Sequence, residues 1–274
     1  MVAFEKLIAK EAKMSLKNKV ALVTGSTSGI GLGIAEKLAE SGFHIMIHGF
    51  ANEDAISKLK TEMASKYGVK VGFNSSNLIE VAQIYKLVDH CQSELGSLDV
   101  LVNNAGMQFT SPLEEFPNEK WDDIIALNLS AAFHATKAVI PQMKKAGWGR
   151  IVNIASTHGL VASVHKAAYV AAKHGLIGLT KVTALELAES GITCNAVCPG
   201  WVRTPLVEKQ IADLASNNNL TLGAATISLL EAKQPTKRFT EVSHLGDLVS
   251  FLVTDAASNM TGAELKMDGA WTAQ

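Results

Sequence analysis

Short apolar runs alternate with stretches of helical periodicity along the whole chain, and that alternation leaves few folds open. The strand candidates are residues 20–24, 43–48, 69–73, 98–102, 150–155, 192–197 and 264–267. Helical patterns fill the gaps at 31–41, 54–67, 79–95, 121–145, 167–189 and 242–255. Strands separated by helices imply right-handed crossovers and a parallel sheet covered on both faces. Runs 98–102 and 151–155 are almost continuously apolar, as such doubly covered strands require. The expected class is therefore α/β: one doubly wound parallel sheet of about seven strands. No linker, repeat or low-complexity segment divides residues 14–274, so a single domain is expected there. Residues 203–239 break the rhythm, carrying Ser216-Asn217-Asn218-Asn219 and then Lys233-Gln234-Pro235. A long insertion at the carboxyl side of a strand is where α/β enzymes place substrate lids, and a helical lid is expected here.

Bulk properties narrow the partners. The 274 residues are 47% apolar and 19% charged, which suits a full core. The net charge is −1 with both signs interspersed, which argues against a nucleic-acid surface. No stretch approaches the ~18 consecutive apolar residues that span a bilayer, so no membrane partner is expected. Residues 1–13 put Phe4, Leu7 and Ile8 on one helical stripe, but Glu5, Glu11 and the lack of a cleavage-site pattern count against a presequence. With Met14 a plausible second start, 1–13 read as a peripheral extension. Cys91, Cys194 and Cys198 have no metal-ligand spacing with any histidine, so no metal is expected. Cys194 and Cys198 would face the same side of a strand, as buried reduced thiols in a cytoplasmic protein.

Three short segments carry chemistry. After the first strand comes Gly25-Ser26-Thr27-Ser28-Gly29-Ile30-Gly31 and then a helix. A glycine-rich turn at that point lets backbone amides and a helix N-terminus face a pyrophosphate, although G-x3-G-x-G departs from the commoner G-x-G-x-x-G. Asn103-Asn104-Ala105-Gly106 follows run 98–102, and small residues there would let an adenine ring lie against the backbone. Ser156 closes the fifth strand, Tyr169 stands thirteen residues on, and Lys173 four further along one helical face. A free phenol titrates near pH ~10, and a neighbouring ammonium pulls that value down. With a serine hydroxyl to hold an oxygen, the set is a proton-transfer device for an alcohol–ketone pair, and it needs a hydride acceptor.

Together these residues resemble the short-chain dehydrogenase/reductase family over residues 16–274: TGSTSGIG, NNAG, the Ser/Tyr/Lys set and Pro199-Gly200 stand in the family's order. The resemblance implies a Rossmann-like sheet and hydride transfer, with Ser156, Tyr169 and Lys173 catalytic and Asn128 at the family's fourth catalytic position. It assigns to the cofactor Gly25, Thr27, Ser28, Gly29, Ile30 and Gly31, then Phe50, Asn77 and Leu78, and then Asn104, Ala105 and Gly106. Tyr169, Lys173, Pro199, Gly200, Val202 and Thr204 complete its contacts. His48-Gly49-Phe50-Ala51 lacks both the acid that grips a ribose hydroxyl and the Arg or Lys that accepts a 2′-phosphate. Phe50 as a wall favours NAD by exclusion, while Asn77 stands where the family usually has Asp. Assembly as a homotetramer is implied by resemblance alone.

Gln108, His158, Lys166 and Gln210, with Trp201 and Trp271, describe a small pocket of one cation, three neutral hydrogen-bonding groups and two aromatic walls. Such a pocket binds a short carboxylate and buries a small alkyl group. With SPLEEFP after Gln108 and KQP at 233–235, the set is similar to that of family members acting on a small 3-hydroxy or 3-oxo acid. It implies reversible oxidation of (R)-3-hydroxybutyrate to acetoacetate. An NADPH-dependent 3-oxoacyl-thioester reductase, a sugar or polyol dehydrogenase, and a non-catalytic NAD(H)-sensing protein stay open on the same fold.

Overall fold

Strands β1 (Val20–Val23), β4 (Val100–Asn103), β5 (Gly149–Ile154) and β6 (Ile192–Pro199) are buried at every position. That is the condition of a strand with both faces covered. The computed structural model describes residues 16–273, so the extension at 1–13 lies outside the described residues. With β2 (His44–His48), β3 (Val71–Asn74) and β7 (Glu264–Met267), the strands form one parallel sheet in the order β3-β2-β1-β4-β5-β6-β7. The chain moves outward from β1, returns to β4 beside it, and continues the other way. That reversal opens a crevice beyond the carboxyl ends of β1 and β4.

Helix α1 (Gly29–Glu40), α2 (Glu53–Tyr67) and a late helix, Val242–Leu252, cover one face, burying Ile34, Leu38, Met63, Leu245 and Val249 against the sheet. The other face takes α3 (Val81–Leu95), a helix at Ala131–Ala146 and one at Ala167–Glu186, through Ile84, Leu87, Val139, Met143 and Ala184. At ~25 cal/mol per Å2 of apolar surface, these two layers supply most of the folding drive.

The sequence pattern located every strand within two residues, but it missed a break in the fourth helical run. Residues 121–145 are not one regular helix: α4 (Asn118–Ile125) passes through a π-turn at Ala126–Ser130 into α5 (Ala131–Ala146). Hydrophobic periodicity cannot register one widened turn, and such turns gather at functional sites. The 29 residues 118–146 are also long and apolar enough by composition to cross a bilayer, with an 18-residue window of mean hydropathy 1.3. The apolar side nevertheless packs against the sheet, where Ala131, Ala135, Val139 and Met143 are buried. Residues 203–239 fold into α7 (Pro205–Asn218) and α8 (Leu222–Glu231), capped by Thr204 and Thr221. The remaining helices are α6 (Ala167–Glu186), which borders the site, and α9 (Val242–Leu252), which packs on α1.

A buried polar chain aligns the helices with the central strands. Asn103 donates to Asn153 Oδ1 at 2.8 Å and to Thr136 of α5 at 3.3 Å, and Asn153 donates to Thr180 of α6 at 2.8 Å. All four are under a tenth exposed, so each lost partner leaves an unsatisfied group in the core. Asn153→Ala is expected to destabilise the fold by about 1–3 kcal/mol, read as a lower urea midpoint. An unchanged midpoint would mean that the chain is not holding α5 and α6 to the sheet.

Candidate active site

Ser156, Tyr169 and Lys173 are brought together where β5 stops. Ser156, in extended backbone, caps a short turn at Thr157–Gly159, and its Oγ accepts from His158 N at 3.1 Å. This turn lies directly on α6: a Cβ at Gly159 would stand 2.8 Å from the Lys173 carbonyl oxygen, so only glycine permits the approach. Tyr169 and Lys173 occupy the first turns of α6, with the ammonium 5.6 Å from the phenol ring centroid. Lys173 is 4% exposed and donates to Ile154 O at 2.7 Å. Burial pulls its pKa down to about 8. The Tyr169 phenol is pushed up by burial, with the Ser156 hydrogen bond opposing. Lysine-assisted lowering of the phenol, expected from sequence, is thus outweighed in this arrangement, where the ammonium is engaged by Ile154 O.

Asn128 sits in the π-turn, 2% exposed. Its Oδ1 accepts from Met107 N and its Nδ2 donates to Met107 O, both at 2.8 Å. The side chain therefore braces the loop after Gly106 against the helix.

A cavity of about 240 Å3 holds Ser156, Tyr169 and Lys173 together with all six expected substrate residues, Gln108, His158, Lys166, Trp201, Gln210 and Trp271. The His158 ring stands edge-on to Trp271 and Tyr169, at 5.4 and 5.9 Å. Trp201 and Trp271 lie 6.2 Å apart, with Lys166 Nζ 6.0 Å from the Trp201 ring. His158 Nε2 and Ser163 Oγ are 3.0 Å apart. Burial, then the nearby Lys166 and Lys233 charges, push His158 down to about 4, so the ring is neutral at physiological pH. Lys166 is lowered by burial and by Lys233. Lys233, Ser163 and Gln234 were not singled out as site residues from sequence. A KQP tripeptide carries no pattern showing that its lysine turns toward a pocket.

A second cleft, about 500 Å3, shares Ile30, Asn104, Gly106, Met107 and Thr204 with the first, so the two are continuous. It is lined by Gly25, Thr27, Ser28, Gly29 and Gly31, by Phe50, Asn77 and Leu78, and by Ala105. Pro199, Gly200 and Val202 line the first cavity and not this cleft. At Gly31 a Cβ would come within 2.3 Å of Gly25 O and 2.5 Å of Asn104 Nδ2, so the turn closes only without a side chain. Ser28 makes no side-chain cap and α1 has no acid in its first turn, which leaves the helix N-terminus open to an anion. The walls fit a dinucleotide: a phosphate cradle at one end, apolar Leu78 and Ala105 beyond it, and the proton-transfer set at the other. His48, also missed as a site residue, lines this cleft, accepting from Gly25 N at 3.2 Å and pairing with Ser76 O at 2.9 Å. Among the described residues, no lysine or arginine lines it.

His158 titrates below its unfolded value, so folding stability is fully present above pH ~6.5 and is lost as pH falls toward 4. His158→Gln is expected to lose less stability than the parent between these values, compared by urea midpoints. Parallel losses in the two proteins would show that this ring does not titrate on unfolding.

The family profile described as short chain dehydrogenase matches residues 19–215. A D-beta-hydroxybutyrate dehydrogenase of Cupriavidus necator is 50% identical over 260 residues, covering 94% of this chain and 100% of that protein. A second D-beta-hydroxybutyrate dehydrogenase, from Rhizobium meliloti, is 49% identical over 93% of this chain and 99% of its own. Among solved structures, L-sorbose reductase from Gluconobacter frateurii, complexed with NADPH and L-sorbose, superposes with a TM-score of 0.89 at 29% identity, over 94% of this chain and 98% of that one. The profile match and the near-complete coverage of both relatives agree with the site geometry: this chain belongs to the short-chain dehydrogenase family.

Proposed function

We propose that the protein catalyses the reversible, NAD-dependent oxidation of (R)-3-hydroxybutyrate to acetoacetate. The observation that carries this reading is a half-buried lysine, Lys166, facing the catalytic tyrosine's pocket beside three neutral hydrogen-bonding side chains and two tryptophans. The identity to two D-beta-hydroxybutyrate dehydrogenases supports it.

In this mechanism the nicotinamide of a dinucleotide held in the cleft supplies the hydride acceptor. Ser156 Oγ holds the substrate oxygen, and Tyr169 takes the hydroxyl proton as the C–O bond gains double-bond character. Lys173 favours the phenolate once its ammonium serves Tyr169 and the cofactor ribose as well as Ile154 O. Asn128 supports the route by which the proton leaves Lys173 for solvent. Lys166 with Gln108, neutral His158 and Gln210 fixes the carboxylate, and Trp201 and Trp271 enclose the methyl group, so that one face of C3 is presented. Residues 203–239 act as the lid, because α7 delivers Gln210 into the cavity. Residues 14–274 act as one domain, with 1–13 peripheral to it.

The preference for NAD is assigned to Phe50 and to a β2 end without lysine or arginine. The L-sorbose reductase structure contains NADPH, so the cofactor needs its own measurement. A homotetramer is supported by exposed Phe133, Val182 and Leu185 on α5 and α6. A cytoplasmic setting is supported by three buried free cysteines.

NADH formation should be followed with (R)-3-hydroxybutyrate, with the (S)-acid and NADP as controls. Turnover confined to the (R)-acid and NAD is expected. Oxidation of NADPH by acetoacetyl thioester with no reaction of the acid would replace this reading with the reductase. Tyr169→Phe is expected to lower kcat by about 10²–10⁴ while NADH binding, followed by fluorescence, persists. Retained kcat would remove Tyr169 from proton transfer.

A further inference from the structure

A second chamber adjoins the substrate cavity and shares His158, Lys166, Trp201 and Trp271 with it, while adding Ser163 and Lys233. Lys233 Nζ lies 5.9 Å from the Trp271 ring centroid, as Lys166 Nζ lies 6.0 Å from that of Trp201. The two rings are tilted by 32° and 6.2 Å apart, so two ammonium groups share one aromatic floor. Among the described residues, neither lysine has a carboxylate within ion-pair distance. Glu231, two residues before Lys233, is taken by Lys237 at 2.6 Å. The indole N–H of Trp201 is buried and has no acceptor.

Like charges gathered without a counter-charge repel, although the exposed position of Lys233 screens it from the half-buried Lys166. Lys233 is felt by both Lys166 and His158, whose pKa values it lowers after burial. The position of Lys233 is also defined by its neighbour. Gln234 is 1% exposed and its Oε1 accepts from Trp201 N at 2.9 Å, which ties the end of α8 to the pocket wall.

We infer that Lys233 is a second substrate-binding cation, which pairs with Lys166 to draw in and hold the carboxylate of the acid. It is a binding residue without a part in proton transfer. This inference rests on the reading of the cavity as a carboxylate site. It adds that the anion is shared between the helix α6 entrance and the end of the lid helix α8, so that substrate charge helps hold the lid in place.

The test uses Lys233→Gln and Lys233→Arg in the full chain. For Lys233→Gln, KM for (R)-3-hydroxybutyrate is expected to rise about three- to fivefold, with kcat within about 1.5-fold, since one charge pair near a surface is worth up to roughly a factor of five. Lys233→Arg should restore KM, and raised salt should weaken the parent's binding more than that of Lys233→Gln. Reduction of methyl acetoacetate, the neutral ester, should show no comparable KM rise. An unchanged KM for the acid, or an equal rise for acid and ester, would overturn the inference. Tryptophan fluorescence titrated with propionate reads anion binding without turnover. If the parent fails to oxidise the hydroxy acid, the functional reading fails, and the titration still decides the role of Lys233. Weaker propionate binding in Lys233→Gln alone sustains that role, and equal binding overturns it.

Discussion

The hydrogen bond from the buried Lys173 ammonium to Ile154 O is the constraint on which the rest of the site depends. It joins the last residue of β5 to the second turn of α6, the two elements that carry Ser156 and Tyr169. A buried ammonium without partners is costly, so its donors must be directed. One points at the strand end, and the others are left for the phenol and whatever enters the cavity. Gly159 makes the arrangement possible by letting the intervening turn lie on the helix backbone. The Asn103–Asn153–Thr180 chain secures the same two elements deeper in the core. Position at the reacting atoms therefore derives from sheet register, which is far stiffer than a loop.

Electrostatics divides the crevice into zones. The phosphate end offers backbone dipoles and no side-chain charge, since α1 begins without a side-chain cap or acid. His48 has both ring nitrogens engaged and burial lowers its pKa, so the end of β2 presents neither acid nor cation to a ribose. Phe50 lines the cleft beside it. At the substrate end the position reverses: lysines dominate, and His158 is kept neutral by burial and by those same lysines. A neutral imidazole can accept from one partner and donate to another, so it can order a carboxylate and Ser163 together without adding a third positive charge.

The architecture was legible because α/β folds leave a strong trace. Fully buried strands read as apolar runs, and the turns between elements carry their own glycines. The grouping of Ser156, Tyr169 and Lys173 was legible from spacing read together with the glycine-rich turn and NNAG, since thirteen residues and then four translate into a strand end and one helix face. What stayed hidden depends on tertiary geometry. The π-turn at Ala126–Ser130 alters the angular position of Asn128 without altering composition. The pairing of Asn128 with Met107 joins residues twenty-one apart and has no local signature. Lys233 is an exposed residue just past the end of α8, and only the tertiary fold brings it to the tryptophans. The sign of the Tyr169 shift was hidden for a related reason: helical spacing shows that two groups are neighbours, but not how deeply both are buried.

The costly polar groups of the site share a direction. Asn128, Lys173, His158 and the buried Trp201 indole are each placed where an isolated fold would gain by a cheaper residue. Their cost is offset by cores on both faces of the sheet, where Ile34, Leu38, Leu87 and Val139 are fully or almost fully buried. Among the described residues, the Lys166 and Lys233 ammoniums have no carboxylate partner and the Trp201 indole N–H has no acceptor, and all three lie on one side of the crevice, near a Lys173 ammonium held by Ile154 O. A chain that concentrates unsatisfied donors there is complementary to a ligand bearing oxygen atoms and negative charge. Binding that ligand and stabilising the protein are then one event, because the anion relieves the repulsion that the empty cavity bears.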